Sequence, residues 1–323
     1  MPIPDVTTFI ARSVLRWVCW RKIGFIVSVL IVAAAGVALL FILRDIDVAR
    51  VLAALGSKPG HTVVLAGAFV GIAYVTLTFY EYFSLRIIGC HHVPYRVAAL
   101  ASFTSSAIGH SLGATVFTAG AVRWRIYLVW RLSVVDIARL AFITGLTFWL
   151  GNIVVLGIGM AVAPDAAGAV SRLSSPVNQA VGLAGLAAVA GYVLWLIPQA
   201  RTVGAGAWSV TLPTASLTLV QIGIGVLDLA AGGLALYLLL PDDPEVDFLT
   251  VLVIYVTATL LGFLSHAPGS LGVFEAAMLI ALPQFAKEEL LASLLIFRCL
   301  YFVLPLLVAL LVMAVRELRL SAR

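Results

Sequence analysis

Apolar runs of about 20 residues, long enough to cross a bilayer as helices, recur along this chain and constrain its fold more than any other feature. The clearest are His61–Tyr82, Asp136–Met160, Asn178–Ile197, Thr214–Leu240 and Leu291–Val315. Charged residues make up 11% of the chain and hydrophobic ones 63%, with a mean hydropathy of +1.13. A soluble domain carries about 25% charged residues. So much apolar surface exceeds what one soluble core can hide, and a bilayer is the solvent that accepts the rest. Lipid offers no hydrogen bonds to exposed backbone, so spanning segments must be helices or a closed barrel. The runs are continuous and lack the alternation of barrel strands, which predicts an all-α polytopic membrane protein.

At the N-terminus, Arg12, Arg16, Arg21 and Lys22 precede an apolar run from Ile23 to Leu43. The run is too long for the h-region of a signal peptide and reads as an uncleaved first helix, with residues 1–22 as a basic cytoplasmic segment. Two further runs are interrupted. Val97–Trp130 contains Gly109, Gly113 and Gly120, and Phe248–Leu282 contains His266-Ala-Pro268-Gly269-Ser270-Leu-Gly272. About eight apolar segments result in all.

The charge bias of the loops decides how the interrupted runs thread. Basic residues flank cytoplasmic ends, which places both termini inside. A single crossing by Val97–Trp130 would put Arg123, Arg125 and Arg131 outside. A hairpin that enters from the cytoplasm and returns keeps them inside, and the same logic makes Phe248–Leu282 a hairpin from the opposite face. The expectation is six full spans plus two oppositely oriented re-entrant hairpins. The pattern of helix, hairpin and helix occurs over 61–160 and again, inverted, over 214–315. Inverted repeats with broken helices at their interface are a common build of secondary transporters, whose breaks mark the binding site.

Ionisable residues inside such runs are candidates for function, since each costs about 3 kcal/mol at the bilayer centre. Asp228, Glu275, Arg298, Arg123, Arg125, His110 and His266 form this set, with Gly109, Gly113, Gly120, Pro268, Gly269 and Gly272 as the expected breaks. Each has a plainer alternative. Asp228 and Arg298 can be a structural ion pair. Arg123, Arg125 and Arg131 alternate with Trp124, Tyr127 and Trp130, as in an interfacial anchor belt. Glu81 with Arg86 reads as a snorkelling pair, and Asp136 with Arg139 as a helix start. The two histidines can relay protons or cap backbone freed by the breaks.

The net charge of +5 lies at segment ends and faces lipid headgroups, so nucleic acid is not an expected partner. Cys19, Cys90 and Cys299 are scattered without metal spacing, and no metal or cofactor is expected. Neither HExxH nor a P-loop occurs, and no DxD-like acid pair faces a soluble domain, so the expectation is a non-enzyme.

Four segments carry a family resemblance: Tyr80–Gly89 (YEYFSLRIIG), His110–Gly113 (HSLG) followed by Gly120–Tyr127 (GAVRWRIY), Gly145–Gly151 (GLTFWLG) and His266–Glu275 (HAPGSLGVFE). Together they resemble the transmembrane region of lysylphosphatidylglycerol synthase, the bacterial multiple peptide resistance factor, from about Phe25 to Val315. Ser270 departs from the second glycine that often follows the proline in that family. The resemblance implies a lipid flippase region in the bacterial cytoplasmic membrane that moves aminoacylated phosphatidylglycerol outward and resists cationic antimicrobial peptides. The chain stops at Arg323 without the family's aminoacyltransferase domain, so the implied role is translocation without synthesis. An anionic or aminoacylated phospholipid is the expected partner, and a homodimer stays open. The alternatives are a scaffold that delivers lipid or polyprenyl carrier to a separate synthase or glycosyltransferase, and an integral enzyme that uses paired acids in one cavity.

Overall fold

A computed structural model describes residues 47–113, 115–171, 173–199 and 201–321. The expected first helix Ile23–Leu43, its flanking basic residues and Cys19 lie outside these residues. Among the described residues there are twelve α-helices and one short β-hairpin, β1 (Thr202–Val203) with β2 (Val210–Thr211). The helices are α1 (Val48–Ser57), α2 (Gly60–Ile87), α3 (Tyr95–Leu112), α4 (Thr115–Tyr127), α5 (Val134–Val162) and α6 (Pro164–Ser171). They continue as α7 (Ser175–Leu196), α8 (Ala215–Leu239), α9 (Phe248–Ser265), α10 (Val273–Ala281), α11 (Lys287–Arg298) and α12 (Leu304–Ser321). The chain is an all-α polytopic membrane protein.

Six helices are long and apolar enough to span: α2, α5, α7, α8, α9 and Lys287–Arg316 across α11 and α12. Five of them coincide with expected spans. The sixth, α9, is the first limb of the second interrupted run, and its 18 residues satisfy the length of a span by themselves.

Pairwise contacts fix how the spans run. Lys58 Nζ at the start of α2 donates to the carbonyl of Leu240 at the end of α8, 3.0 Å away, so these helices are antiparallel. Helix α5 runs parallel to α8, because Gln221 Nε2 donates to Thr147 Oγ1 at 2.8 Å and Gly151 meets Gly225 a turn later. A Cβ added at Gly151 would lie 2.8 Å from the Gly225 Cα, so only paired glycines permit this crossing. Small residues allow such close backbone approach where lipid supplies no hydrophobic drive.

Helices α3 and α4 pack side by side as a hairpin whose ends meet. His92 Nε2 lies 2.9 Å from the Trp130 carbonyl, and Leu85, Cys90, Val93, Ile126, Tyr127 and Leu132 share one buried cluster. Helices α9 and α10 form a second hairpin, whose ends reach the opposite face of the bundle with Leu239, Leu240, Phe285 and Leu290. The first face carries Arg86, Arg96, Arg123, Arg125, Arg139 and Arg316. The second carries Lys58, Asp242, Asp243, Glu245, Asp247, Glu288 and Glu289. At the start of α5, Ser133 and Asp136 exchange side-chain-to-backbone bonds as a capping box, which accounts for Asp136 locally.

Candidate functional site: a cavity where two broken helices meet

The first break is narrower than its glycines suggest. Gly109 lies inside α3 and Gly120 inside α4; only Gly113, with φ +72°, interrupts the backbone. Glycine is common in membrane helices, so its presence alone does not end one. The second break follows the expectation at Pro268, Gly269 and Gly272, with φ +57° at Gly269 and +80° at Gly272. His266 (φ +54°) and Ser270 (φ +54°) are left-handed as well. Ser270 is accommodated by Gly262 one turn back on α9, where a Cβ would come within 2.5 Å of the Ser270 side chain.

The two breaks touch. A Cβ built on Gly113 would sit 2.9 Å from the His266 carbonyl oxygen and 3.1 Å from the Ala267 carbonyl carbon. Hairpin tips from opposite faces thus meet backbone to backbone in the middle of the bundle.

Beside this contact lies a cavity of about 170 Å³. His110, Gly113, Asp228, Tyr255, His266, Ser270 and Tyr301 line it, together with Phe117, Phe148, Phe263, Phe274, Phe297 and Phe302. Of the seven ionisable candidates, the structure brings Asp228, His110 and His266 to this cavity and holds the other four elsewhere.

Asp228 is buried, at 6% exposure. Its Oδ2 accepts a hydrogen bond from Tyr80 Oη at 3.3 Å, and its Oδ1 lies 3.3 Å from Thr76 Oγ1. The expected pairing of Asp228 with Arg298 is not what forms. Arg298 instead pairs with Glu275 and donates to the carbonyls of Gly269 (2.8 Å) and Ser270 (3.3 Å). Glu275 also accepts the Gly272 amide at 2.9 Å. A guanidinium has five donors in a fixed fork, and here it satisfies carbonyls that the break removes from any helix. Arg298 and Glu275 therefore hold the second break in shape.

Arg123 is committed in the same way. It donates to both carboxylate oxygens of Glu81, the shortest contacts being 2.9 Å, while Tyr127 Oη donates to Glu81 Oε1 at 3.0 Å. Glu81 is fully buried, and its partner is Arg123 on the first hairpin, where Arg86 had been the expectation. Arg86 donates to Tyr82 and to the His91 carbonyl. The neighbouring Arg125 is exposed near the end of α4, beside the exposed Trp124.

One further feature belongs to the site. The helix between α11 and α12 loosens into a π-helical turn at Cys299–Val303, just before Pro305. A proline has no N–H to return to the carbonyl four residues earlier, here Tyr301. Tyr74 Oη donates to that carbonyl at 3.0 Å, and Ser111 Oγ to the Phe302 carbonyl at 3.4 Å. The turn lets Tyr301 and Phe302 line the cavity, as π-bulges often do at functional sites. Pro305 inside an otherwise apolar helical run was the sequence signal for it.

These features define a class: a multi-pass helical membrane protein built around two abutting helix breaks and an aromatic cavity with one acidic group. The sequence is 32% identical over 245 residues to the uncharacterised protein slr0712 of Synechocystis sp., covering 75% of this chain and 76% of that protein, and the chain belongs to the same family. It is 27% identical over 299 residues to the inner membrane protein YbhN of Escherichia coli, covering 90% and 91%. Neither of these relatives bears an enzyme's name. A shorter stretch is 34% identical over 83 residues to a phosphatidylglycerol lysyltransferase of Staphylococcus haemolyticus. That stretch covers 25% of this chain and 10% of the enzyme, much less than the near-complete match the motifs led one to expect. No family model matches the chain.

Proposed function

We propose that this protein is a lipid transporter of the bacterial cytoplasmic membrane that carries the headgroup of an aminoacylated or related phospholipid through the cavity between its two breaks. The observation that carries this reading is the backbone contact of Gly113 with His266 and Ala267 beside a cavity lined by Asp228. Non-helical backbone at membrane depth is tolerated where protein covers it or water reaches it. The two hairpins are re-entrant in this reading, one from each face, and segments 61–160 and 214–315 act as inverted halves that rock about the contact. Both termini are cytoplasmic, since the arginine-rich face then lies inside. The inner-membrane location of YbhN and the partial likeness to a phosphatidylglycerol lysyltransferase support the membrane and the lipid class.

The cavity itself favours a cationic group. Asp228 supplies the charge, and the aromatic rings that line the cavity, Tyr255 and Tyr301 among them, supply an environment that attracts ammonium. The arginines are used elsewhere: Arg125 meets phosphates at the inner surface, while Arg123 and Arg298 hold the hairpins. Purified protein in liposomes that contain fluorescent phosphatidylglycerol or its lysyl ester tests the reading. Faster exchange between leaflets than in protein-free vesicles, with the lysyl ester preferred, is the expected result. Equal rates with and without protein for every lipid would refute it.

A further inference from the structure

Asp228 poses a problem of charge that its surroundings do not solve. It lies near the middle of α8, and no ion pair to it forms among the described residues. Its hydrogen bonds are thin. Thr76 Oγ1 has one proton, and it sits 2.6 Å from the carbonyl of Ala73 but 3.3 Å from Asp228 Oδ1. A hydroxyl that gives its proton to the nearer carbonyl can only accept from Asp228. Thr76 and Asp228 can then make a real hydrogen bond only if the carboxyl group carries a proton and donates it.

The titratable groups around it allow this. Tyr74 and Tyr80 face it from α2, Tyr255 from α9 and Tyr301 from the π-helical turn. His110 on α3 and His266 in the second break share its cavity. Helix α5 brings only Phe148. The nearby charges of Glu275 and Arg298 are spent on each other.

Resting on the transport reading above, we propose that Asp228 binds a proton and a cationic headgroup in turn, so that the protein exchanges aminolipid for protons. A carboxylate in a sealed cavity must be neutralised before the cavity can reorient, because a lone buried charge is costly. On the loaded step the headgroup ammonium neutralises it. On the empty step a proton does, held between Asp228 Oδ1 and Thr76 Oγ1. Nothing is oxidised or reduced: one proton enters the carboxylate on one side of the membrane and leaves it for water on the other. The arrangement with Asp228 beside Thr76 is the proton-bound one.

The experiment has two arms. In liposomes with a pH difference and labelled lysyl-phosphatidylglycerol, the lipid should accumulate in the leaflet facing the more acidic side, beyond the level in protein-free vesicles. An ionophore that collapses the gradient should remove the excess, and Asp228→Asn should show none. Catalysed movement of this lipid with no such bias would overturn the exchange, as would an undiminished bias in Asp228→Asn. The second arm needs no transport. Infrared difference spectra of the purified protein at neutral pH should contain the C=O stretch of a protonated carboxylic acid that is lost in Asp228→Asn and moves in Thr76→Val. The lack of any such band would overturn the proposal. Should no lipid move at all, the transport reading fails by itself, and the infrared band still decides whether Asp228 carries a proton.

Discussion

Arg298 touches three different parts of the second break at once: the Glu275 carboxylate and the carbonyls of Gly269 and Ser270. Removing one partner of a buried ion pair typically costs about 3–5 kcal/mol, because the other charge is stranded. Arg298→Ala should therefore lower the thermal unfolding midpoint in detergent strongly. Arg298→Lys should recover only part of the loss, since one ammonium cannot reproduce the planar fork. Equal midpoints for wild type and Arg298→Ala would show that the bonds contribute little. The Glu81 cluster gives a smaller, independent effect. Tyr127→Phe removes one hydrogen bond to a charged group, worth about 1.5–3 kcal/mol, and leaves both bonds from Arg123 in place. At this scale the sequence showed which residues needed a reason and hid their partners. Glu81 and Arg123 lie 42 positions apart, and Glu275 and Arg298 lie 23 apart. Nothing local to either residue names the other, whereas the nearer Arg86 offered itself to Glu81 by spacing alone.

Elements sit between the legible and the hidden. The limits of α2, α5, α7 and α8 follow from hydropathy within a few residues, because a span in lipid carries few charged residues and its loops carry many. The second break was equally legible, since proline and closely spaced glycines leave a helix few options. The first was overread, because Gly109, Gly113 and Gly120 look alike in sequence and only one has a positive φ. Their substitutions should separate them. Gly113→Ala forces a side chain into a left-handed conformation and against the His266 carbonyl, costing about 1–3 kcal/mol before any rearrangement. Gly120 has open space around the position of a Cβ, so Gly120→Ala should be neutral or stabilise α4 by up to about 1 kcal/mol. Thermal midpoints and lipid exchange rates measured on both variants check this: Gly113→Ala should fall in both, and Gly120→Ala in neither. The crossing of α5 and α8 at Gly151 and Gly225 could not be read beforehand, because it depends on two glycines from distant runs meeting at one level.

At the scale of the whole molecule, the distribution of charge and the direction of each helix agree. Among the described residues, the face formed by the ends of the first hairpin carries Arg86, Arg96, Arg123, Arg125, Arg139 and Arg316, and the face formed by the ends of the second carries the acids 242–247, Glu288 and Glu289. If both hairpins turn back at their contact, three positions on the first must behave differently from those of a spanning segment. In a protein freed of Cys19, Cys90 and Cys299, single cysteines at Tyr95 and Trp130 should react with a membrane-impermeant maleimide from the same side of sealed vesicles. Cysteines at Phe248 and Gln284 should react from the other side. A single crossing by 95–130 would put Tyr95 and Trp130 on opposite sides. Two short crossings would bring the tip out on the far face, so a cysteine at Thr115 is the deciding position. Thr115 lines the central cavity, and a cysteine there should react with a permeant reagent, while the impermeant one, added to the far side, should label it far more slowly than an exposed loop. Labelling of that cysteine from the far face at the rate of an exposed loop would make α3 and α4 full crossings and remove the re-entrant basis of the transport path. Protection of the tip, together with same-side labelling of its two ends, is the outcome that two hairpins meeting at Gly113 and His266 require.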